Sequence, residues 1–278
     1  MLRRPDVQDA SPLFRGFAST GLRPRHGPNR RRIIRGCDGA VEIDEVNRLV
    51  TKSYLHPDRE TAIHNVHREV AYASRFFEAL AGIEGVACPR IIAWELSTPP
   101  RVFMKLCPGQ ALSDFLWLID GRDARIARIS SAIRAGLEVY TRLFDEPYYD
   151  CCFNNMLFDD DSGTLTFLDF VVPMRPLDCN PVTSLEASLG SLVGCACYTL
   201  ARPAFLFHPR EAYLSLTQTV MAGFESQVNS ARVYACARSV FSQMYSSGGR
   251  LRQNYYRTVG MHVTDHCLRS LQQGTASN

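Results

Sequence analysis

The sequence predicts an α+β protein of two unequal lobes, a small antiparallel sheet with one main helix followed by a larger, mainly helical part. Three observations carry that expectation. From Ile33 to Leu106, apolar residues alternate or cluster in strand-length bursts broken by Gly, Pro and Asn. Within that span one segment, Ala62 to Leu80, keeps the helical period instead. Beyond Ala111 the helical period dominates and the segments lengthen. At 278 residues the chain can bury a sizeable core as one large or two small domains. The divisions read from these shifts are a leader over 1–31, a sheet lobe over 32–107, a helical lobe over 108–270 and a flexible tail over 271–278.

Residues 1–35 hold nine arginines against Asp6 and Asp9, with Pro and Gly interspersed and no period. The leader is therefore expected to be disordered, and its Arg30-Arg31-Arg32 cluster a solvated terminus rather than a targeting or membrane element. A net charge of +3 gives no case for a nucleic-acid partner. No apolar signal core follows the arginines, and the ten cysteines are scattered without a CxxC pair. Both features fit a cytoplasmic protein with reduced, buried thiols.

In chain order, Ile33–Gly36, Ala40–Val46 and Arg48–Tyr54 read as an antiparallel meander. Lys52, one of two lysines with Lys105, shares a strand face with Val50 and Tyr54. It is thus aimed at the core, although the strand alone equally admits an edge lysine snorkelling outward. In the helix, Val66, Val70, Ala73, Phe76, Phe77 and Leu80 form one stripe that includes Glu69 and excludes Arg68, Arg75 and Glu78. A carboxylate on a buried face needs a cation or hydrogen bonds, and Lys52 is the nearest candidate; a half-exposed Glu at the stripe's margin is the other reading.

Arg90–Leu96 and Arg101–Leu106 complete a five-stranded sheet, and Cys107-Pro108-Gly109 breaks the pattern. Helical sequence follows at Ala111–Ile119 and, longer, at Asp123–Phe144. Val182–Leu200 carries one charge, Glu186, and approaches membrane-span length, yet its Ser, Thr, Gly and Cys content predicts a buried helix and no transmembrane segment. Glu211–Val228 and Ala231–Tyr245 finish the lobe, and the tail frays after Ser270.

Between the helices lie two strand-like bursts, Asp150–Phe158 and Thr164–Phe170, joined by Asp159–Gly163. Asp150 stands five residues before Asn155, and Asp169 closes an apolar run whose burial demands a partner for its carboxylate, a metal ion above all. This layout suits phosphoryl transfer. A nucleophilic role for Cys151 or Cys152 lacks a neighbouring histidine in the sequence.

The order Val50-Thr-Lys52, His67-Arg-Glu69, Val102–Gly109, Asp150-x-x-x-x-Asn155 and Asp169-Phe170 resembles the protein-kinase-like superfamily, and within it the aminoglycoside-phosphotransferase and small-molecule-kinase branch. The likeness runs from about Arg32 to Arg202. It implies a two-lobed protein-kinase-like fold and transfer of the γ-phosphate of ATP or GTP to a small-molecule hydroxyl. Lys52 would contact the α and β phosphates, held by Glu69, and the backbone of Lys105, Leu106 and Cys107 would meet the adenine edge. Asp150 would receive the acceptor's proton, while Asn155 and Asp169 would hold Mg2+.

Three departures from the family pattern stand out. Tyr148-Tyr149 precedes Asp150 where the family has His-Gly or His-Arg, Val171 follows Asp169-Phe170 where protein kinases have Gly, and no glycine-rich loop precedes Lys52. The first is the main support for an alternative, a pseudokinase that binds nucleotide or a protein partner. A Ser/Thr protein kinase is the other alternative, disfavoured by the short link Pro173–Pro181 after Asp169. From Asp178 onward five acidic residues face eight arginines, which disfavours a polycationic aminoglycoside and favours a neutral or anionic sugar or lipid-linked acceptor. Arg250, Arg252 and Arg257 beside Tyr255 and Tyr256 read as a solvated basic face or an anion site.

Overall fold

A computed structural model describes residues 31–35, 39–171, 182–202, 211–246 and 250–275. The leader to residue 30 and the Pro173–Pro181 link lie outside the described residues. Alternation in the N-terminal region yields β1 (Arg31–Arg35), β2 (Gly39–Asp44) and β3 (Leu49–Tyr54), and after the first helix come β4 (Val86–Ala87), β5 (Ile91–Glu95) and β6 (Arg101–Lys105). Five of these form an antiparallel sheet in the order β1-β2-β3-β6-β5. Register pairs Lys52 with Val41 and Val102, so the lysine stands on the face that carries buried Val102 and Tyr54.

Helix α1 (Arg59–Ala79) starts at Asp58, whose carboxylate accepts the amides of Glu60 and Thr61. Its buried positions, Ala62, Val66, Glu69, Ala73 and Phe76, recur every three or four residues and place Glu69 mid-stripe. A second, four-stranded sheet was not foreseen: β4 pairs with β9 (Thr164–Phe167), β9 with β8 (Met156–Asp159), and β8 with β7 (Gln110–Ala111). Gly109 has φ +100°, and a Cβ there would sit 2.5 Å from the Phe158 carbonyl oxygen, so only glycine lets the chain turn into β7 against β8.

The rest is helical: α2 (Leu112–Trp117), α3 (Arg125–Phe144), α4 (Ser184–Leu200), α5 (Glu211–Ala222), α6 (Ser230–Ser246), α7 (Arg250–Tyr255) and α8 (Met261–Thr275). The molecule is thus α+β, with an antiparallel-sheet N-terminal region and a helical C-terminal region. Every residue of α4 from Glu186 to Leu200 is buried. Its one charge is accounted for: Glu186 closes a capping box with Thr183 and accepts the Asn229 amide at 2.9 Å. Gly190 and Gly194 let α6 approach closely, since a Cβ would meet Cys236 Cβ at 2.5 Å or the Ala237 carbonyl at 2.6 Å.

Among the described residues, no helix is long and apolar enough to cross a membrane, and the described cysteines are free thiols. Helix α8 extends past Ser270 to Thr275, with Leu268 and Leu271 buried.

Candidate functional site

Strand β3 and helix α1 deliver the first two groups. Lys52 Nζ lies 3.1 Å from Glu69 Oε2 and 2.7 Å from Asp169 Oδ1. Burial works to lower the Lys52 pKa, but the Asp169 and Glu69 carboxylates outweigh it and hold the value well above the usual range. Glu69, almost fully buried, is raised by desolvation, against which Lys52 works. Its Oε2 also accepts the Tyr54 hydroxyl at 3.2 Å and the Phe170 amide at 3.3 Å.

Asp169 follows β9, with φ +60°, in the left-handed region that Asp tolerates better than most side chains. Its side chain is 29% exposed rather than buried, and its partner is Lys52. The apolar run before it is buried at Leu165, Thr166 and Phe167, and the partner that the Asp169 carboxylate finds among the described residues is a lysine.

Asp150 and Asn155 do not begin a strand, as the apolar run around them implied. They lie in a loop that ends in a 3-10 turn, Phe153–Asn155, and β8 starts only at Met156. The Asn155 amide nitrogen donates to the Asp150 carboxylate and, at 3.2 Å, to the Asp150 carbonyl. The Leu168 amide donates to the Asn155 carbonyl at 2.9 Å, which ties the loop to the peptide before Asp169. Asp150 is 5% exposed, and its pKa is pushed up to about 7 by desolvation and then by the Asp169 carboxylate, against the Asn155 hydrogen bond and Lys52.

Several residues that hold this loop gave no signal in the sequence. Ser188 Oγ accepts the Tyr148 amide at 2.9 Å, and Ser191 Oγ donates to the Tyr149 carbonyl at 2.6 Å, so α4 grips the loop one turn apart. The Tyr148 hydroxyl donates to the Leu168 carbonyl. Its ring, almost fully buried, packs with Tyr140, Phe167 and Phe170. A run of small residues at α4 would have pointed to close backbone approach but not to the partner.

The remaining candidates divide. The Lys105 and Leu106 amides donate to the carbonyls of Arg90 and Arg48, both at 2.9 Å, so this stretch is bound into the sheet. The Cys107 thiol is raised by burial. Cys151 and Cys152 are raised well above the usual thiol range, Cys151 by burial and Cys152 by its hydrogen bond with Cys195 and by burial. Both shifts favour the neutral thiol over the nucleophilic thiolate. Tyr255 and Tyr256 serve packing: Tyr256 stacks on Tyr198 with centroids 4.9 Å apart, and the Tyr255 hydroxyl donates to the Ala201 carbonyl. The flanking Arg250 and Arg257 are exposed.

Among the described residues, no cluster of three or more His, Cys, Asp and Glu side chains stands ready to hold a metal ion unaided. Asn155 and Asp169 are hard oxygen donors on either side of the Leu168–Asn155 bond, a set suited to a magnesium ion that takes its other ligands from phosphates and water. No protein-family model matches the chain, and no curated protein is significantly similar to it.

Proposed function

We propose that the chain is a phosphotransferase of the protein-kinase-like type, moving the γ-phosphate of ATP or GTP to a small-molecule hydroxyl. The observation that carries this reading is the meeting of Lys52, Glu69 and Asp169, drawn from β3, α1 and the end of β9, beside Asp150 and Asn155. A lysine bridging two carboxylates keeps its charge and is fixed in place, as a phosphate-binding cation must be. Asp150 combines burial, a hydrogen bond that orients its carboxylate and a pKa of about 7, the properties of a general base that works near neutral pH.

Asn155 and Asp169 would hold Mg2+, which when bound neutralises phosphate charge in the transition state. Asp150 takes the proton of the acceptor hydroxyl as that oxygen attacks. Because the Lys105 and Leu106 amides are already engaged, recognition of the adenine edge falls to carbonyl oxygens of this stretch and to the Cys107 amide. The acidic-to-basic balance of the C-terminal region favours a neutral or anionic acceptor, such as a sugar or a lipid-linked sugar.

The test is thermal stabilisation by ATP with Mg2+, followed by an intact-mass screen of hydroxylated metabolites for phosphate gain. Asp169→Ala should abolish the magnesium-dependent part of the shift, and Asp150→Ala should slow transfer by about 10²–10⁴-fold. No magnesium-dependent shift in the native chain overturns the reading. Stabilisation without transfer to any acceptor would select a nucleotide-binding module instead, the alternative that Tyr148-Tyr149 supports.

A further inference from the structure

Arg68 lies on the side of α1 that a helical wheel assigns to solvent, yet it reaches the strand end that carries Asp169. Its Nε donates to the Phe170 carbonyl at 3.1 Å, while the Phe170 amide, one peptide earlier, donates to Glu69 at 3.3 Å. Consecutive side chains of one helix thus hold the N–H and the C=O of a single residue. Arg68 is itself fixed: its terminal nitrogen pairs with Glu146, just before the Asp150 loop, and its guanidinium lies 4.2 Å from the Tyr72 ring centroid. Tyr72 in turn stacks on Phe144 at 4.2 Å. One planar fork therefore joins α1, the approach to Asp150 and the peptide after Phe170, an arrangement that needs the divergent nitrogens of arginine.

We infer that Arg68 is a positioning residue: with Glu69 it clamps Phe170 and so keeps Asp169 in its left-handed turn, its carboxylate turned to Lys52. Asp169 has φ +60°, a conformation that persists only where the surroundings enforce it. The Phe170 ring supplies the apolar part of the hold, packing with Phe76, Tyr140 and Tyr148. The Phe170–Val171 peptide that Arg68 holds also presents the Val171 amide to Asp169 Oδ1 at 3.4 Å, so release of its carbonyl lets that amide turn away and loosens the Asp169 carboxylate from Lys52. The consequence for nucleotide handling rests on the phosphotransferase reading; the clamp itself does not.

The experiment compares the native chain with Arg68→Ala, Arg68→Lys and Glu146→Gln. Amide hydrogen exchange is followed for the peptide spanning Leu168 to Val171 and, as a control, for one within α4. The clamp predicts at least about tenfold faster exchange over Leu168–Val171 in Arg68→Ala, unchanged exchange in α4, and incomplete recovery in Arg68→Lys, which keeps the charge but not the fork. Native exchange at Leu168–Val171 in both Arg68 variants overturns the inference, whatever the protein's chemistry. In the same variants the Kd for ATP with Mg2+ should rise while the Kd for ATP in EDTA changes less. Faster exchange with an unaltered magnesium-dependent Kd overturns the link to Asp169. If Arg68→Ala does not fold, Arg68→Lys and Glu146→Gln carry both readouts. A native chain that binds no nucleotide defeats the phosphotransferase reading and leaves the exchange result to judge the clamp.

Discussion

The Tyr148 hydroxyl donates to the carbonyl of Leu168, the residue before Asp169. This hydrogen bond spans from the Asp150 loop to the strand end. Burial raises the Tyr148 pKa well above its usual value, so the hydroxyl stays a donor throughout the neutral range. Tyr148→Phe leaves a carbonyl without that donor and should cost about 1–3 kcal/mol. The measure is a lower urea midpoint at constant slope. An unchanged midpoint would mean that the hydroxyl contributes nothing to the loop's position.

Asp150 makes stability depend on pH in a direction opposite to that of most carboxylates. Its folded pKa of about 7 lies above the unfolded value, chiefly through burial and then the Asp169 charge. The folded state therefore binds more protons than the unfolded state between roughly pH 4 and 7, and this site's contribution to stability falls as pH rises through that window. Asp150→Asn should gain on the native chain as pH is raised from 5 to 8, seen as a widening gap in denaturation midpoint. On the proposed phosphotransferase function, transfer should run the other way, rising with ionisation of Asp150 along a limb near pH 7. Asp169→Asn removes the second cause, and the Asp150 titration should then move to lower pH.

Lys52 stands between two carboxylates, so its removal leaves both without their cation. Lys52→Met should destabilise by about 3–5 kcal/mol, the range for stripping one partner from a buried pair. Adding Glu69→Gln removes the charge that the single variant strands on the buried face of α1. The double variant should then be more stable than Lys52→Met alone by chemical denaturation. Equal stability of the two would show that Tyr54 and the Phe170 amide satisfy Glu69 without the lysine.

The Lys52–Glu69 pair was legible in the sequence because two independent periods, two in β3 and near 3.6 in α1, each turned a charged residue inward. The five-stranded sheet and the long helices were legible for the same reason. What was not legible depended on partners far along the chain. Arg68 reads as solvent-facing on its helix and finds Phe170 through tertiary packing. Ser188 and Ser191 sit in a helix buried on all sides, where no face distinguishes a loop-gripping serine from a filler. Strands β4 and β7 are two residues long, too short to show a period. The turn at Asp169 is a backbone conformation, and an apolar run before an aspartate does not announce a positive φ.

Gly136 offers a test of how tightly the site depends on packing behind it. It lies buried in α3, and a Cβ there would come within 2.3 Å of the Phe167 ring, the last residue of β9. Phe167 packs in turn on Phe76 of α1 and on Tyr148, so its ring cannot retreat without disturbing the residues that hold Glu69 and the Asp150 loop. Alanine favours helix by about 1 kcal/mol over glycine, which would stabilise an exposed position. Here overpacking should outweigh that gain, at a typical cost of about 1–3 kcal/mol. Gly136→Ala is expected to lower the melting temperature and, because the displaced ring pushes on β9 two residues ahead of Asp169, to weaken as well the magnesium-dependent nucleotide stabilisation that the proposed function predicts. Thermal melts with and without ATP and Mg2+ separate the two effects. A Gly136→Ala variant that melts at or above the native temperature would show that α3 can shift away from β9, and that the site does not depend on this contact.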